Sequence, residues 1–268
     1  MNRSSFELTS QDFFELASQQ RIQIIFELKA LNLKASDLAK KLESTSQEIH
    51  RNLLRLEKTG FIQKEIDNYF SLTPFAKVMC SQIPSIEFLS ENREYFKTHD
   101  FGGVPNKFVM RIGQLSKSTK IVGVVKVLEK WMEIKKNTEQ HFYEVLSEVP
   151  LDLIKTLVDQ VKAHPKIECQ SILSNSVIVP EGRKQLLKDL NFEKFVKEGR
   201  IQRRMYNVQT VIVLNEKEAC VSFPSLDGNP DITQTFYSKD PVFREWCLDY
   251  FRYCWYEGTP FNENKIKD

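Results

Sequence analysis

The sequence predicts a mixed α+β and α/β chain. An N-terminal winged helix-turn-helix is joined by a helical linker to a C-terminal α/β domain with a mixed sheet. Three observations carry this reading. Two short helical patterns and two strand-like runs follow one another within residues 35–73. A strand–helix–strand spacing appears after residue 141. The 268 residues, 41% hydrophobic and 28% charged, are enough for two globular domains, each with its own core. The expected boundaries are 1–85 for the winged helix, 86–120 for the linker, and 121–268 for the α/β domain.

The chain opens with Thr9-Ser10 as the cap of a leading helix. Its Phe13, Phe14 and Leu16 are expected to pack on the winged helix or on a partner subunit. Arg21 to Leu31 carries apolar residues at helical spacing, and Ala35 to Leu42 reads as a second, shorter helix. Glu43-Ser44 then turns the chain into the stretch Thr45 to Lys58, which ends at Gly60. Thr45 and Glu48 stand at capping-box spacing. Ile49, Leu53 and Leu56 make one buried stripe. Ser46, Gln47, His50, Arg51 and Arg55 point the other way, a polar and basic set suited to base edges and phosphates. Phe61 to Ile66 and Tyr69 to Thr73, separated by Asp67-Asn68, read as a hairpin. Helix, helix-turn-helix and hairpin in that order describe a winged helix.

After the wing, Pro74 to Cys80 is expected to be helical with Phe75, Val78 and Met79 on its apolar side, and Pro84 interrupts it. Ile86 to Phe96 is a further helix, Thr98 to Pro105 a loop marked by Gly102, Gly103 and Pro105, and Asn106 to Leu115 a helix. Val122 to Lys135 forms a helix with a broad apolar stripe. Phe142 to Ser147, Leu151 to Ala163 and Ile167 to Leu173 then suggest a βαβ unit with parallel strands. Glu181 to Lys197 is helical. Ile201 to Tyr206, Val211 to Leu214 and Ala219 to Phe223 are strands, the last two forming a hairpin, and Pro241 to about Tyr256 is a closing helix rich in aromatic residues.

Leu38-Ala39-Lys40-Lys41-Leu42, Leu53 to Ile62 and Tyr69 to Pro74 resemble the prokaryotic winged-helix regulators of the arsenical-repressor type, a likeness over roughly residues 18 to 80. The second half has its own likeness, spanning most of residues 86 to 261. Phe88 to Phe96 through His99-Asp100, Pro105 and Arg111 to Leu115 resembles archaeal winged-helix regulators. Their C-terminal half is the domain named after the methanogenesis and filamentation regulator. So do Phe236-Tyr237-Ser238, Phe243 to Cys247 and Phe251 to Trp255. The resemblance implies a DNA-binding regulator with a C-terminal domain for sensing or dimerisation, and it names no effector.

Lys plus Arg number 38 against 36 acids, a net charge of +2, so affinity for nucleic acid must come from local patches. Cys80, Cys169, Cys220, Cys247 and Cys254 are odd in number and form no CxxC pair, which points to a reducing cytoplasm. The first residues lack an apolar signal core, and no window is long and apolar enough to span a membrane. His50, His99, His141 and His164 lie near no cysteine at ligand spacing, so neither a metal nor a cofactor is expected. His164-Pro165-Lys166 begins the HxKxxxxD signature of phospholipase D-type phosphotransferases. Ser171 stands where the aspartate belongs, and no second HxK occurs. His99-Asp100 in the Gly/Pro loop reads as structural. The expectation is therefore a protein that is not an enzyme.

The function expected is a cytoplasmic, homodimeric transcriptional regulator. Its partners are duplex operator DNA, a second copy of the chain and a candidate small-molecule effector. Thr45, Ser46, Gln47, His50 and Arg51 would face the major groove, Arg55 and Lys58 the phosphates, and Lys64, Asn68 and Tyr69 would make wing contacts. Arg200, Arg203 and Arg204 form a candidate site for an anionic effector, because guanidinium forks match carboxylates and phosphates. The alternatives are a winged helix used for protein contacts and a phospholipase D-like phosphotransfer enzyme.

Overall fold

The structure, a computed structural model, describes residues 3–263 and 266. The chain divides into two compact units, Met1–Pro84 and Ser85–Asp268.

The first unit begins with helices α1 (Arg3–Leu16) and α2 (Gln19–Ala30), then a two-residue strand β1 (Leu33–Lys34). Helix α3 (Ala35–Lys41) and helix α4 (Ser46–Lys58) follow, separated by a four-residue turn in which Glu43 takes φ +49°. Strands β2 (Ile62–Lys64) and β3 (Tyr69–Leu72) form the wing hairpin, and β1 pairs with the other edge of β3. Asp67 and Asn68 both adopt left-handed backbone, φ +60° and +63°, the conformation a tight hairpin turn demands. Helix α5 (Pro74–Cys80) closes the unit. Its buried side is Ala76 and Cys80, whereas Phe75 and Val78 are exposed, so the expected apolar face is corrected. The Thr73 hydroxyl caps α5 by accepting from the Ala76 amide, which turns the helix so that its small residues meet the core. Leu38, Ile49, Leu53, Leu56, Phe61 and Leu72 lie within that core.

Gly60 sits just past the end of α4 with φ +78°. No atom lies within 4 Å of a Cβ built there. Replacing Gly60 with alanine is therefore expected to cost about 1 kcal/mol from backbone strain alone, measured as a shift of the urea midpoint. A cost several times larger would require a steric clash that the structure does not contain.

Among the described residues the second unit is built on an eight-stranded mixed sheet. It contains α6 (Ile83–Glu91) from Ser85 onward, then α7 (Asn106–Val109), β4 (Thr119–Val122), α8 (Val124–Lys136), β5 (His141–Glu148) and α9 (Leu151–Ala163). Next come β6 (Glu168–Ile178), α10 (Arg183–Asp189), α11 (Phe192–Lys197), β7 (Ile201–Tyr206), β8 (Val211–Asn215) and β9 (Ala219–Ser222). β10 (Gln234–Ser238), α12 (Pro241–Glu257) and β11 (Thr259–Pro260) complete it. The strand order is β11-β7-β6-β5-β8-β9-β10-β4, with β5–β6 and β6–β7 parallel and the remaining pairs antiparallel.

Each face of this sheet carries its own core. One holds Trp131, Phe142, Leu153, Val158 and Cys169, and the other holds Phe88, Phe108, Ile172, Phe236, Trp246 and Phe251. Residues 86–120, expected as a linker, send Phe88, Tyr95, Phe108, Ile112 and Leu115 into the second of these cores and so belong to the domain itself. The single helix expected over 181–197 is two helices, broken at Asn191, whose φ of +53° cannot continue an α-helix. No helix among the described residues is long and apolar enough to cross a membrane.

Candidate nucleic-acid interface

Helix α4 is fixed at its start by a capping box. The Thr45 hydroxyl accepts from the Glu48 amide at 3.2 Å, and the Thr45 amide donates to Glu48 Oε2 at 3.2 Å. The Thr45 hydroxyl, which also donates to Glu48 Oε2 at 2.8 Å, and secondly the Thr45 amide hold the Glu48 carboxyl below its ordinary range. Ile49, Leu53 and Leu56 are buried, as the spacing requires. Asn52 is buried too. Its amide donates to the Glu48 carbonyl at 3.0 Å and to Gln20 Oε1, tying α4 to α2. Gln20 in turn donates to Ser44 in the turn at 2.9 Å. These bonds fix the angle at which α4 leaves the unit.

Ser46, Gln47, His50, Arg51, Arg55 and Lys58 are exposed. Gln47, His50, Arg51, Leu54, Arg55 and Lys58 line a shallow cleft of about 710 Å³ together with Glu15. Thr45 is exposed at the helix start, although its hydroxyl is committed to the cap. Lys64 and Asn68 are exposed on the wing. Tyr69 is exposed as well, with the Lys34 ammonium 4.8 Å from its ring centroid.

Arg55 departs from its expected position. It forms a bidentate pair with Glu15 of α1, Nε to Oε2 at 2.7 Å and Nη2 to Oε1 at 2.9 Å, so its fork does not point free towards a phosphate. Arg21 shares the same carboxylate at 3.1 Å. The Arg55 bonds, opposed by burial and helped by Arg21, hold Glu15 below the ordinary carboxylate range. The sequence reading missed Glu15, Asn52 and Leu54. A polar residue three positions after Ile49, hence on the buried stripe, was the available signal for Asn52.

The arginine cluster of the second unit is split. Arg200 donates to the carbonyls of Val161 and His164. Arg204 donates to the carbonyls of Trp255 and Gly258 at 2.6 and 3.2 Å and lies over the Trp255 ring. Both serve as internal cross-links rather than as ligands for an effector. Arg203 lines a pocket, and strand alternation turns it to the face opposite Arg204.

His99 is buried, stacked on Tyr95 at 3.8 Å between centroids, and pairs with Asp231 at 2.7 Å; Asp100 instead accepts from the Gly102 amide. Cys247 and Cys254 are fully buried among aromatic rings, and burial pushes the Cys254 thiol up to about 12. A thiol so far from ionisation is a poor redox nucleophile.

No family model matches the chain, and no match is found among curated proteins. Solved structures do resemble it. TrmBL2, an archaeal chromatin protein whose structure shows a novel mode of DNA binding, is 16% identical, with 97% of this chain and 100% of that chain covered and a TM-score of 0.39. NucT from Helicobacter pylori is 10% identical over 54% of this chain and 99% of its own, with a TM-score of 0.40. The riboflavin-derivative dimethyltransferase RosA from Streptomyces davawensis is 12% identical over 76% of this chain and 65% of its own, with a TM-score of 0.28. Two further matches are an O-methyltransferase family protein from Burkholderia thailandensis and CalO1, a methyltransferase of calicheamicin biosynthesis. The expectation of a protein that is not an enzyme is withdrawn on that finding.

Proposed function

We propose that the chain is a DNA-binding transcriptional regulator of archaeal winged-helix type, acting in the cytoplasm as a homodimer. One observation carries the reading. The second helix of a helix-turn-helix is held rigidly by its cap and by Asn52, and it presents Ser46, Gln47, His50 and Arg51 to solvent on one face. Residues at the start of such a helix reach base edges in the major groove. Lys58 at its end and Lys64, Asn68 and Tyr69 on the wing would meet the backbone. A dimer would set two recognition helices about 34 Å apart and favour a near-palindromic site. The second unit would sense an effector or hold the dimer.

Arg51→Ala is expected to weaken specific binding by about 1–3 kcal/mol through loss of a base contact. Fluorescence anisotropy with the chain's own upstream DNA and a scrambled duplex, over a salt series, measures both the loss and the phosphate count. Wild-type binding of both duplexes with equal weakness, or an Arg51→Ala protein with unchanged affinity, contradicts the assignment.

A second reading, a winged helix used for protein contacts, is favoured by two exposed apolar residues on the same elements. Leu54 on α4 is 65% exposed and Ile66 beside the wing turn 85%. Under that reading the duplex would not bind even at low salt, and Leu54→Ser would remove the protein contact.

A further inference from the structure

The second unit contains a basic pocket that DNA binding does not use. Arg183 at the start of α10 is buried and Arg203 on β7 is half-buried, with side-chain exposures of 4% and 9%. Both guanidinium groups converge on the carboxylate of Glu263. Arg183 Nη1 lies 2.5 Å from Oε1, and Arg203 Nη1 lies 3.7 Å from Oε2. The second distance is too long for a hydrogen bond. Arg203 Nε and Nη1 are buried with no hydrogen-bond partner among the described residues. Its Nη2 meets Glu193 at 3.2 Å, and that side chain is 64% exposed. Arginine does not shed its charge in such a place. Glu193 and Glu263 offset its charge, but two buried donors without acceptors remain costly until an acceptor reaches them.

Two spaces meet at Arg203. Outward lies an open pocket of about 680 Å³ with Lys188, Lys194 and the carboxylate of Glu193 on its wall. Inward lies a small cavity of about 30 Å³ bounded by Lys135, Glu144, Ser171 and both arginines, with room for about one water. The Arg203 guanidinium is held in plane by the Phe192 and Phe261 rings, 5.2 and 4.0 Å from their centroids. A fork so fixed loses little freedom when it grips an oxyanion.

We propose that this pocket binds a small organic anion through a phosphate or carboxylate group held between Arg183 and Arg203, and that the Glu263 carboxylate is the internal stand-in for that group. A ligand oxyanion displaces Glu263 and supplies the acceptors that Arg203 Nε and Nη1 lack. Lys188 and Lys194 favour a ligand with more than one negative charge. The inference rests on the sensing role proposed for this unit, but it is read without DNA, so either can fail alone.

The test is calorimetric titration of the full chain with inorganic phosphate and, separately, with succinate. An internal competitor lowers apparent affinity by the fraction of time it occupies the site, so Glu263→Gln is expected to tighten binding about tenfold. Adding Arg203→Gln to that variant should abolish the heat, with circular dichroism confirming the fold. Should that double variant not fold, Arg203→Lys keeps the charge but loses the fork, and should weaken binding about tenfold. Tighter binding of phosphate than of succinate supports the proposal with a phosphate ester as ligand, and the reverse order supports it with a carboxylate. No heat from either anion on the Glu263→Gln protein, or heat unchanged by the Arg203 substitutions, overturns it.

Discussion

Lys135→Met is expected to destabilise the second unit by about 3–5 kcal/mol, the usual cost of stranding one member of a buried ion pair. Lys135 on α8 and Glu144 on β5 are 2% and 4% exposed, and Nζ lies 2.9 Å from Oε2. The contact is an ion pair by distance, without the angles of a hydrogen bond. The ammonium also lies 4.7 Å from the Phe142 ring centroid and 3.4 Å from the Leu153 carbonyl. Without it, Glu144 keeps only the Ser171 hydroxyl, which donates to Oε1 at 2.7 Å, on a sheet face otherwise occupied by Phe142, Leu146, Cys169 and Leu173. All three tryptophans lie in this unit, so urea unfolding followed by tryptophan fluorescence reads it separately. Lys135→Met combined with Glu144→Leu should recover most of the loss, because replacing both charges by apolar groups of similar size is close to neutral. A double variant no more stable than Lys135→Met would locate the damage in lost packing instead.

That pair also marks where sequence reasoning stopped. Strand β5 was legible from Phe142 to Ser147 because alternation is local. The same alternation places Glu144 on the apolar face with Phe142 and Leu146, and a carboxylate there was the available signal for a buried partner. The register continues it: Glu144 stands opposite Ser171, and Ser171 opposite Arg203. Naming Lys135 as the partner needed the packing of α8, which no spacing reveals. The split of Arg203 from Arg204 followed from the two-residue period alone, whereas the convergence of Arg183 and Glu263 on Arg203 joins segments far apart in sequence. Strands β4 and β10 were missed for a related reason. Gln234 pairs with Val122, and neither short run announces itself without the other. Helix α4 was read well because its cap, stripe and glycine stop are all local.

Glu15→Ala is expected to cost the first unit about 3 kcal/mol and at the same time to raise its affinity for phosphate backbones. Glu15 is 8% exposed at its side chain and bridges Arg21 and Arg55. Arg21, itself buried, keeps the carbonyls of Glu15 and Phe14 at 2.8 and 2.9 Å but loses its carboxylate. Arg55, already 44% exposed at its side chain beside Arg51 and Lys58, loses both of its bonds to Glu15. If that face lies on DNA, the log–log salt slope should steepen by about one phosphate contact.

The pH dependence has a definite sign. Folding depresses the Glu15 pKa, chiefly through the Arg55 bonds, so the stability it contributes is complete above the ordinary value of 4.5 and is lost as pH falls through the depressed one. Hydrogen exchange of the α2 and α4 amides should therefore show a wide gap between wild type and Glu15→Ala at neutral pH that narrows below about pH 4.5. A gap that persists in acid would mean that the carboxylate acts through packing rather than charge. A salt slope unchanged at neutral pH would mean that Arg55, even when released, does not face the duplex.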